Sequence, residues 1–515
     1  MVDIVFVFEV HQPYRIRKEI HNRILERALE KELDLSDLED IIFDTELNKY
    51  VFQRVSRKCY IPATKIILEL IDKYKNTNKP FKVSFSLSGL FIEQALRWEP
   101  EVIDLFRKLV DTGYIELVGQ TFYHSLASLM PLPGYLELRE QIEEHRRVLR
   151  EVFGYDPVTV ENTEFIYNND IACFLEKLGF KTILTEGVDW VLGWRSPNYV
   201  YRAYGCSIRV LTRDYRLSDD IGFRFSDRNW DQYPLTADKY ASWLAGKSGD
   251  VVVLAMDYET FGEHHPVESG ILEFLKWLPH EVSRYPHLEF SIPREVVEKH
   301  PVRGVYDVPS WATISWADER DVSAWLGNSM QNSAFRILND IRPYVVATGD
   351  KSLIRLWKLL STSDHFYYMA TKHGSLEEVH SHFSPYDNPI EAHTVYLKAI
   401  HTLIAFITRE LVGKTHVLAR IPLPSNRAFY FYRSDGSYTG FVAHSLIEFY
   451  ELLDKVPHDS ITYHVLRGDI QLWISTTYGL RDIASEISRL VENGVRGEEL
   501  RRELKNLLRR AIETK

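Results

Sequence analysis

Glu164 and Asp257 each close an apolar run. Glu164 follows Val158-Thr-Val-Glu-Asn-Thr, and Asp257 follows Val251-Val-Val-Leu-Ala-Met. The second run, six apolar residues without a break, reads as a strand buried on both faces, as parallel sheets contain. In a closed parallel barrel, carboxylates at the C-terminal ends of strands converge on one mouth. Two carboxyls meeting there can divide labour, one ionised as nucleophile and the other protonated as general acid. Cleavage of a glycosidic bond uses such a pair, about 5–5.5 Å apart for retention and roughly 6.5–9.5 Å for inversion. Alternation puts Val158, Val160, Asn162 and Glu164 on one face of their strand, with Glu161 on the other. Glu259 shares parity with Asp257, and Glu263 lies one turn on, so three acids compete for the proton-donating role. Asp257, against Met256 and near an ionised Glu164, is better placed to hold a proton than Glu263 in an open loop, while Glu259 stays a rival.

These acids need a scaffold, and the chain supplies the signals of one in order. Residues 4–11 form a first strand ending in Glu9-Val-His11-Gln12-Pro13. Its alternation turns Val5, Val7, Glu9 and His11 to the inside, where Glu9 would fix the tautomer of His11. Residues 14–60 read as a charged, irregular insertion. Further strands are expected at 81–87, 114–118, 158–164, 181–184, 208–212 and 251–256, with helical spacing at 64–74, 137–153, 168–178 and 236–244. Strand and helix in alternation predict an α/β fold with a parallel sheet, and its length suits closure into a barrel. Beyond Pro309 the pattern turns helical, over 321–341, 352–370 and 390–412. The expected domains are therefore 1–310 for the barrel, 311–421 for a helical domain, and 427–515 for a small C-terminal α/β unit. The last includes a strand expected over 461–466.

Bulk properties narrow the function. The 515 residues are 45% hydrophobic and 26% charged, ordinary for a soluble globular protein. A net charge of −11 speaks against nucleic acid or an anionic membrane as partner. No run is long enough for a membrane helix, and no signal peptide is evident, so a cytoplasmic location is expected. Three widely spaced cysteines, Cys59, Cys173 and Cys206, suit a reducing compartment and offer no zinc spacing. No cofactor or metal is expected. The 11 Trp and 29 Tyr exceed core needs, and flat rings of this kind stack on sugar faces.

Five segments, taken together, are distinctive: His11-Gln12-Pro13; Gly119-Gln-Thr-Phe-Tyr-His124-Ser-Leu; Asn162-Thr-Glu164-Phe-Ile-Tyr167-Asn; Met256-Asp257-Tyr-Glu259-Thr-Phe-Gly262-Glu-His264; and Ser315-Trp316-Ala-Asp-Glu-Arg-Asp321-Val-Ser-Ala-Trp325-Leu-Gly-Asn328. In order, they resemble the signature regions of glycoside hydrolase family 57, and most closely its archaeal α-amylase-like branch. The resemblance covers residues 4 to about 412. It implies a distorted (β/α)7 barrel with a helical domain, acting on α-glucans or maltooligosaccharides with retention. It further implies Glu164 as nucleophile and Asp257 as general acid, with His11 and His124 as sugar-binding histidines. Ser363-Asp364-His365-Phe-Tyr367 resembles the helical-domain segment that closes the cleft. Gln12, Tyr167, Glu259, His264, Trp316, Asp364, His365 and Tyr367 complete the substrate-binding candidates.

Three alternatives use the same residues differently. A 4-α-glucanotransferase would share every catalytic group and resolve the glycosyl-enzyme with a sugar hydroxyl. A non-catalytic glucan-binding protein would keep only the cleft. A metal-dependent polysaccharide deacetylase would need a histidine pair at i and i+4, which neither His124 nor the adjacent His264 and His265 provides.

Overall fold

The computed structural model describes every residue except 31–32, 132, 373–383 and 514–515. Seven parallel strands form its centre: β1 (Val2–Val10), β2 (Val83–Leu87), β3 (Ile115–Val118), β4 (Thr159–Glu161), β5 (Thr182–Glu186), β7 (Arg209–Arg213) and β8 (Val251–Asp257). They pair in the order β3–β2–β1–β8–β7–β5–β4. The seam between β4 and β3 closes through Gly119, whose N–H donates to Thr159 and whose carbonyl accepts from Glu161, at 2.9 and 2.8 Å. Phe180 leaves no room there for a side chain, since a Cβ on Gly119 would lie 2.9 Å from its ring. The result is a (β/α)7 barrel. A short β6 (Val200–Ala203) runs antiparallel to β7 at its rim.

Period-two alternation sorts the core as expected. Val5, Val7, Val118, Leu184, Leu211, Val251, Val253 and Ala255 fill the inside. Phe6, Phe8, Phe85, Val252, Leu254 and Met256 face outward into the surrounding helices. With helices over its outer face and the barrel interior against its inner one, β8 can be apolar on both faces.

Several expectations are corrected. The described residues between 14 and 60 are not irregular but carry helices at Ile20–Glu30, Leu38–Ile42 and Thr45–Val55. On β4 it is Glu161 that pairs with inward-facing Leu184, so the inner parity is the reverse of the one read from alternation. The strand ends at Glu161, and Glu164 stands in the turn beyond it. Residues 461–466 lie in a helix, His458–Arg467, because Ile461 and Val465, four apart, bury the same stripe. Their β-branched and aromatic composition had argued for a strand, and packing overrides it. Cys173 and Cys206 are joined in a disulfide, and Cys59 is a buried free thiol. Spacing along the chain does not reveal that pairing, and the reading of a reducing compartment from cysteine usage loses its footing. Among the described residues, no helix is long and apolar enough to cross a membrane.

The chain divides into two compact units. One comprises Met1–Leu33, Asp37–Asn339 and Lys358–Ala399; it holds the barrel and every candidate site residue. The other comprises Asp34–Ser36, Asp340–Trp357 and Ile400–Lys515. Its core gathers Phe431, Phe449, Ile474, Leu504 and Leu508 between a hairpin (Phe429–Tyr432 and Tyr438–Ala443) and several helices. The helical stretch expected over 311–421 contributes to both units.

Candidate active site

At the C-terminal mouth of the barrel, Glu9 on β1 lies directly beside Asp257 on β8 in the parallel register. The chain leaves β1 at once, and His11 sits over the mouth. β3 leads through Gly119 and Gln120 to His124, and β4 leads into the Thr163–Phe165 turn that carries Glu164. His124 and Glu164 adopt left-handed backbone, with φ of 46° and 60°, as do Phe165 at 54° and Arg320 at 58°. Non-glycine residues seldom do so, and such strain persists where surrounding contacts over-determine it. Of the five described instances, one is Glu164 itself, a second, His124, touches its carboxylate, and a third, Phe165, stacks on the Trp316 ring that donates to it.

That carboxylate is Glu164. Its Oε2 accepts the indole N–H of Trp316 at 2.7 Å, and its Oε1 accepts the Ser363 hydroxyl at 2.8 Å. The Nε2 of His124 lies 3.4 Å from Oε1. Trp316 is held in turn by stacking on Phe165, with ring centroids 4.9 Å apart. The guanidinium of Arg213 lies 5.8 Å from its ring.

His11 and His124 stack with centroids 4.1 Å apart, so their charges compete. The Nδ1 of His11 meets the Ser88 hydroxyl at 2.8 Å, and its Nε2 meets Asp364 Oδ2 at 3.1 Å. Ser88 Oγ also accepts from the Phe91 N–H, leaving its own proton for His11 Nδ1. A neutral ring donating from Nε2 to the carboxylate satisfies both contacts. Burial, and after it the charge of His124, push His11 down to about 4. Ser88, rather than Glu9, therefore fixes its tautomer. Burial opposes charge on His124 too, but the hydrogen bond to Glu164 and the charges of Glu9 and Glu164 lift it to about 9.

Asp257 carries the opposite electrostatics to Glu164. Burial first and the Glu164 charge second push it up to about 7. Glu9 rises to about 8, chiefly through burial. Glu259, buried and accepting from the Tyr60 hydroxyl and from Gln12 at 3.5 Å, also rises to about 8 through burial and the nearby Asp257. Asp364 stays well below the usual carboxylate range, because contact with His11 and the charge of His124 outweigh burial.

Tyr367 belongs to the same cluster. Burial raises its hydroxyl, and after burial the charges of Glu164, Asp318, Asp257 and Asp364 act in the same direction. Tyr167 and His365 are buried among other neighbours. Tyr167 is fully buried, its hydroxyl donating to the Tyr306 carbonyl at 3.4 Å. His365 is buried near Phe43 and Tyr396, and burial lowers it to about 4. His264 is part-buried, its backbone N–H donating to the Glu259 carbonyl at 2.9 Å. His265 caps the helix Tyr215–Gly222 by donating to the Ile221 and Gly222 carbonyls.

Behind the site lies a charged network that sequence reasoning missed. Glu186, fully buried at the end of β5, accepts from Arg213 at 3.0 Å and from Arg320 at 3.1 Å. Arg213 also reaches Asp219 at 2.5 Å and donates to the Ala255 carbonyl at 2.7 Å. Arg213 ends β7 much as Asp257 ends β8, and that position was its one legible signal. Gln120 and Ser363 stood inside segments already singled out, without being singled out themselves. Among the described residues, no group of three His, Cys, Asp or Glu is arranged to hold a metal ion. What the cluster offers is a carboxylate with three donors beside a second carboxyl whose affinity for a proton is raised, the division that glycoside cleavage requires.

Comparison with known proteins places the chain in a family. The family model for glycosyl hydrolase family 57 matches residues 5–309. A protein of Methanocaldococcus jannaschii named "Putative alpha-amylase" is 48% identical over 424 residues, 80% of this chain and 86% of that protein. A 4-alpha-glucanotransferase of Thermococcus kodakarensis is 24% identical over 265 residues, 50% of this chain and 38% of that protein. The crystal structure of a 4-alpha-glucanotransferase from Thermococcus litoralis superposes with a TM-score of 0.57 at 16% identity. That match covers 86% of this chain and 62% of the other, and is a likeness of fold.

Proposed function

The chain belongs to glycosyl hydrolase family 57, and on that premise we propose that it is a retaining glycoside hydrolase acting on α-1,4-glucans. Glu164 is the nucleophile and Asp257 the general acid/base. The observation that carries this reading is the opposed electrostatics of the two carboxyls. Glu164 has three donors on its oxygens, one of them the charged His124, and Asp257 is raised to about 7 by burial and by Glu164 itself.

In the first step Glu164 attacks the anomeric carbon, and the glycosidic oxygen leaves with the proton of Asp257. The new ester takes the negative charge off Glu164. The repulsion that raised Asp257 then disappears, its proton affinity falls, and it becomes a base for an incoming water. Water attacks the same carbon from the side the leaving group vacated, so the anomeric configuration is retained. Neutral His11, with Asp364 behind it, and Gln12, with Glu259 behind it, are suited to contact sugar hydroxyls.

A second reading keeps the first step and replaces the water by a glucan hydroxyl, giving 4-α-glucan transfer. The similarity to the Thermococcus kodakarensis protein favours giving it weight. One experiment separates these. Maltoheptaose digested with the protein and followed by proton NMR and chromatography should give α-anomeric products that are all shorter than the substrate. Oligomers longer than maltoheptaose would assign transfer, β-anomers would overturn retention, and binding without products would overturn catalysis.

A further inference from the structure

We propose that Gln120 and Glu9 are positioning residues that hold His124 doubly protonated against the nucleophile. Gln120 is fully buried, and its amide nitrogen donates to Glu9 Oε1 at 3.0 Å and to Ser86 Oγ at 2.9 Å. Both amide hydrogens are thereby used, and the carbonyl Oε1 faces His124 Nδ1 at 2.9 Å. A carbonyl oxygen only accepts, so Nδ1 must carry a hydrogen. Glu9 Oε1 lies 3.5 Å from the same nitrogen, a second oxygen on that side. On the far side Nε2 faces Glu164 Oε1, again an acceptor. With oxygen before both nitrogens, the ring is an imidazolium. If the amide were turned over, its NH2 would face Nδ1, which would then have to accept, and the positive charge beside Glu164 would be lost.

The groups facing this pair are Glu9 from β1, His11 from the segment after it, Asp257 from β8, and Asp364 and Tyr367 from the helix Ser363–Tyr367. Only His124 among them is a cation in contact with Glu164. The expected consequence is that Gln120 sets the pH at which His124 gives up its second proton, without touching substrate.

The inference rests on Glu164 as nucleophile, so Glu164→Gln is measured beside the test variants. The readout is the ring-nitrogen NMR signals of His124 followed as pH is raised, with kcat on maltoheptaose measured beside them. Gln120→Leu should let the ring lose its second proton at lower pH, by about one pH unit or more. Gln120→Glu, which again sets an oxygen acceptor before Nδ1, should bring that pH back. A lowered rate with an unmoved His124 titration in Gln120→Leu, or a Gln120→Glu titration that stays with the leucine variant, overturns the proposal. If Gln120→Leu does not fold, Glu9→Leu takes its place with the same expectation, and an unmoved His124 titration there overturns it equally. Near-normal turnover in Glu164→Gln would instead sink the nucleophile assignment itself.

Discussion

Glu164 depends on its donors, and each of them can be removed singly. Trp316 gives Glu164 Oε2 its hydrogen bond at 2.7 Å, and a hydrogen bond to a charged group contributes about 1.5–3 kcal/mol. Trp316→Phe keeps the stacking on Phe165 and deletes the N–H. It is expected to lower kcat by about ten- to a hundredfold with KM little changed. Steady-state kinetics on maltoheptaose decide this, and a change confined to KM would make Trp316 a sugar platform only. Asp257 answers to a different probe. Because burial and Glu164 raise it to about 7, kcat/KM on natural glucans should fall as pH rises past about 7, where the acid loses its proton. Asp257→Asn should lose several orders of magnitude on glucans and far less in the first step on 4-nitrophenyl glycosides, seen as a burst of nitrophenol. Equal losses on both substrates would contradict its role as proton donor.

Elements matter because the site hangs between strand ends that no local interaction joins. β5, β7 and the segment carrying Trp316 meet at Glu186, which is fully buried and shared by Arg213 and Arg320. Removing one partner of a buried pair leaves charge without compensation, at a cost of about 3–5 kcal/mol. Arg213→Met should therefore cost about that much in chemical denaturation, whereas the double change Arg213→Met, Glu186→Leu should recover part of the loss. An additive double mutant would show that the two side chains are not coupled. The left-handed turn at Thr163–Phe165 belongs to the same scale. β4 stops at Glu161, and the turn, not the pleat, brings Glu164 to the mouth.

For the whole molecule, buried acids and histidines act on stability in opposite directions across the pH range. Burial lowers His11, His145 and His365 to about 4, so above pH 6.5, the ordinary histidine value, they are neutral in folded and unfolded chains alike. In that range Asp257 and Glu116, at about 7, and Glu9 and Glu259, at about 8, still bind protons in the folded state that the unfolded chain has released. His124, at about 9, does the same. The folded state thus holds more protons, and stability falls as pH rises from about 6.5 to 9. Tm followed by circular dichroism should drop across this interval, and Glu9→Gln should flatten the slope. A Tm that rises or stays level would show that these carboxyls are already ionised in the fold.

Much of this was legible from residue order, because the signals are local. Apolar runs such as Val251–Met256 mark buried strands wherever they occur, and Val5, Val7 and Glu9 face the interior as their alternation requires. The five motifs placed the chain in its family for the same reason, since each is contiguous. What contiguity does not encode is how remote groups face one another. That Ser88 rather than Glu9 serves His11, that Ser363 reaches Glu164, that Cys173 meets Cys206, and that Glu186 draws in two arginines are all consequences of tertiary packing. Proton affinities follow the same division: residue type sets the ordinary value, but burial and neighbouring charge, which only the packed barrel supplies, moved Asp257 up and His11 down.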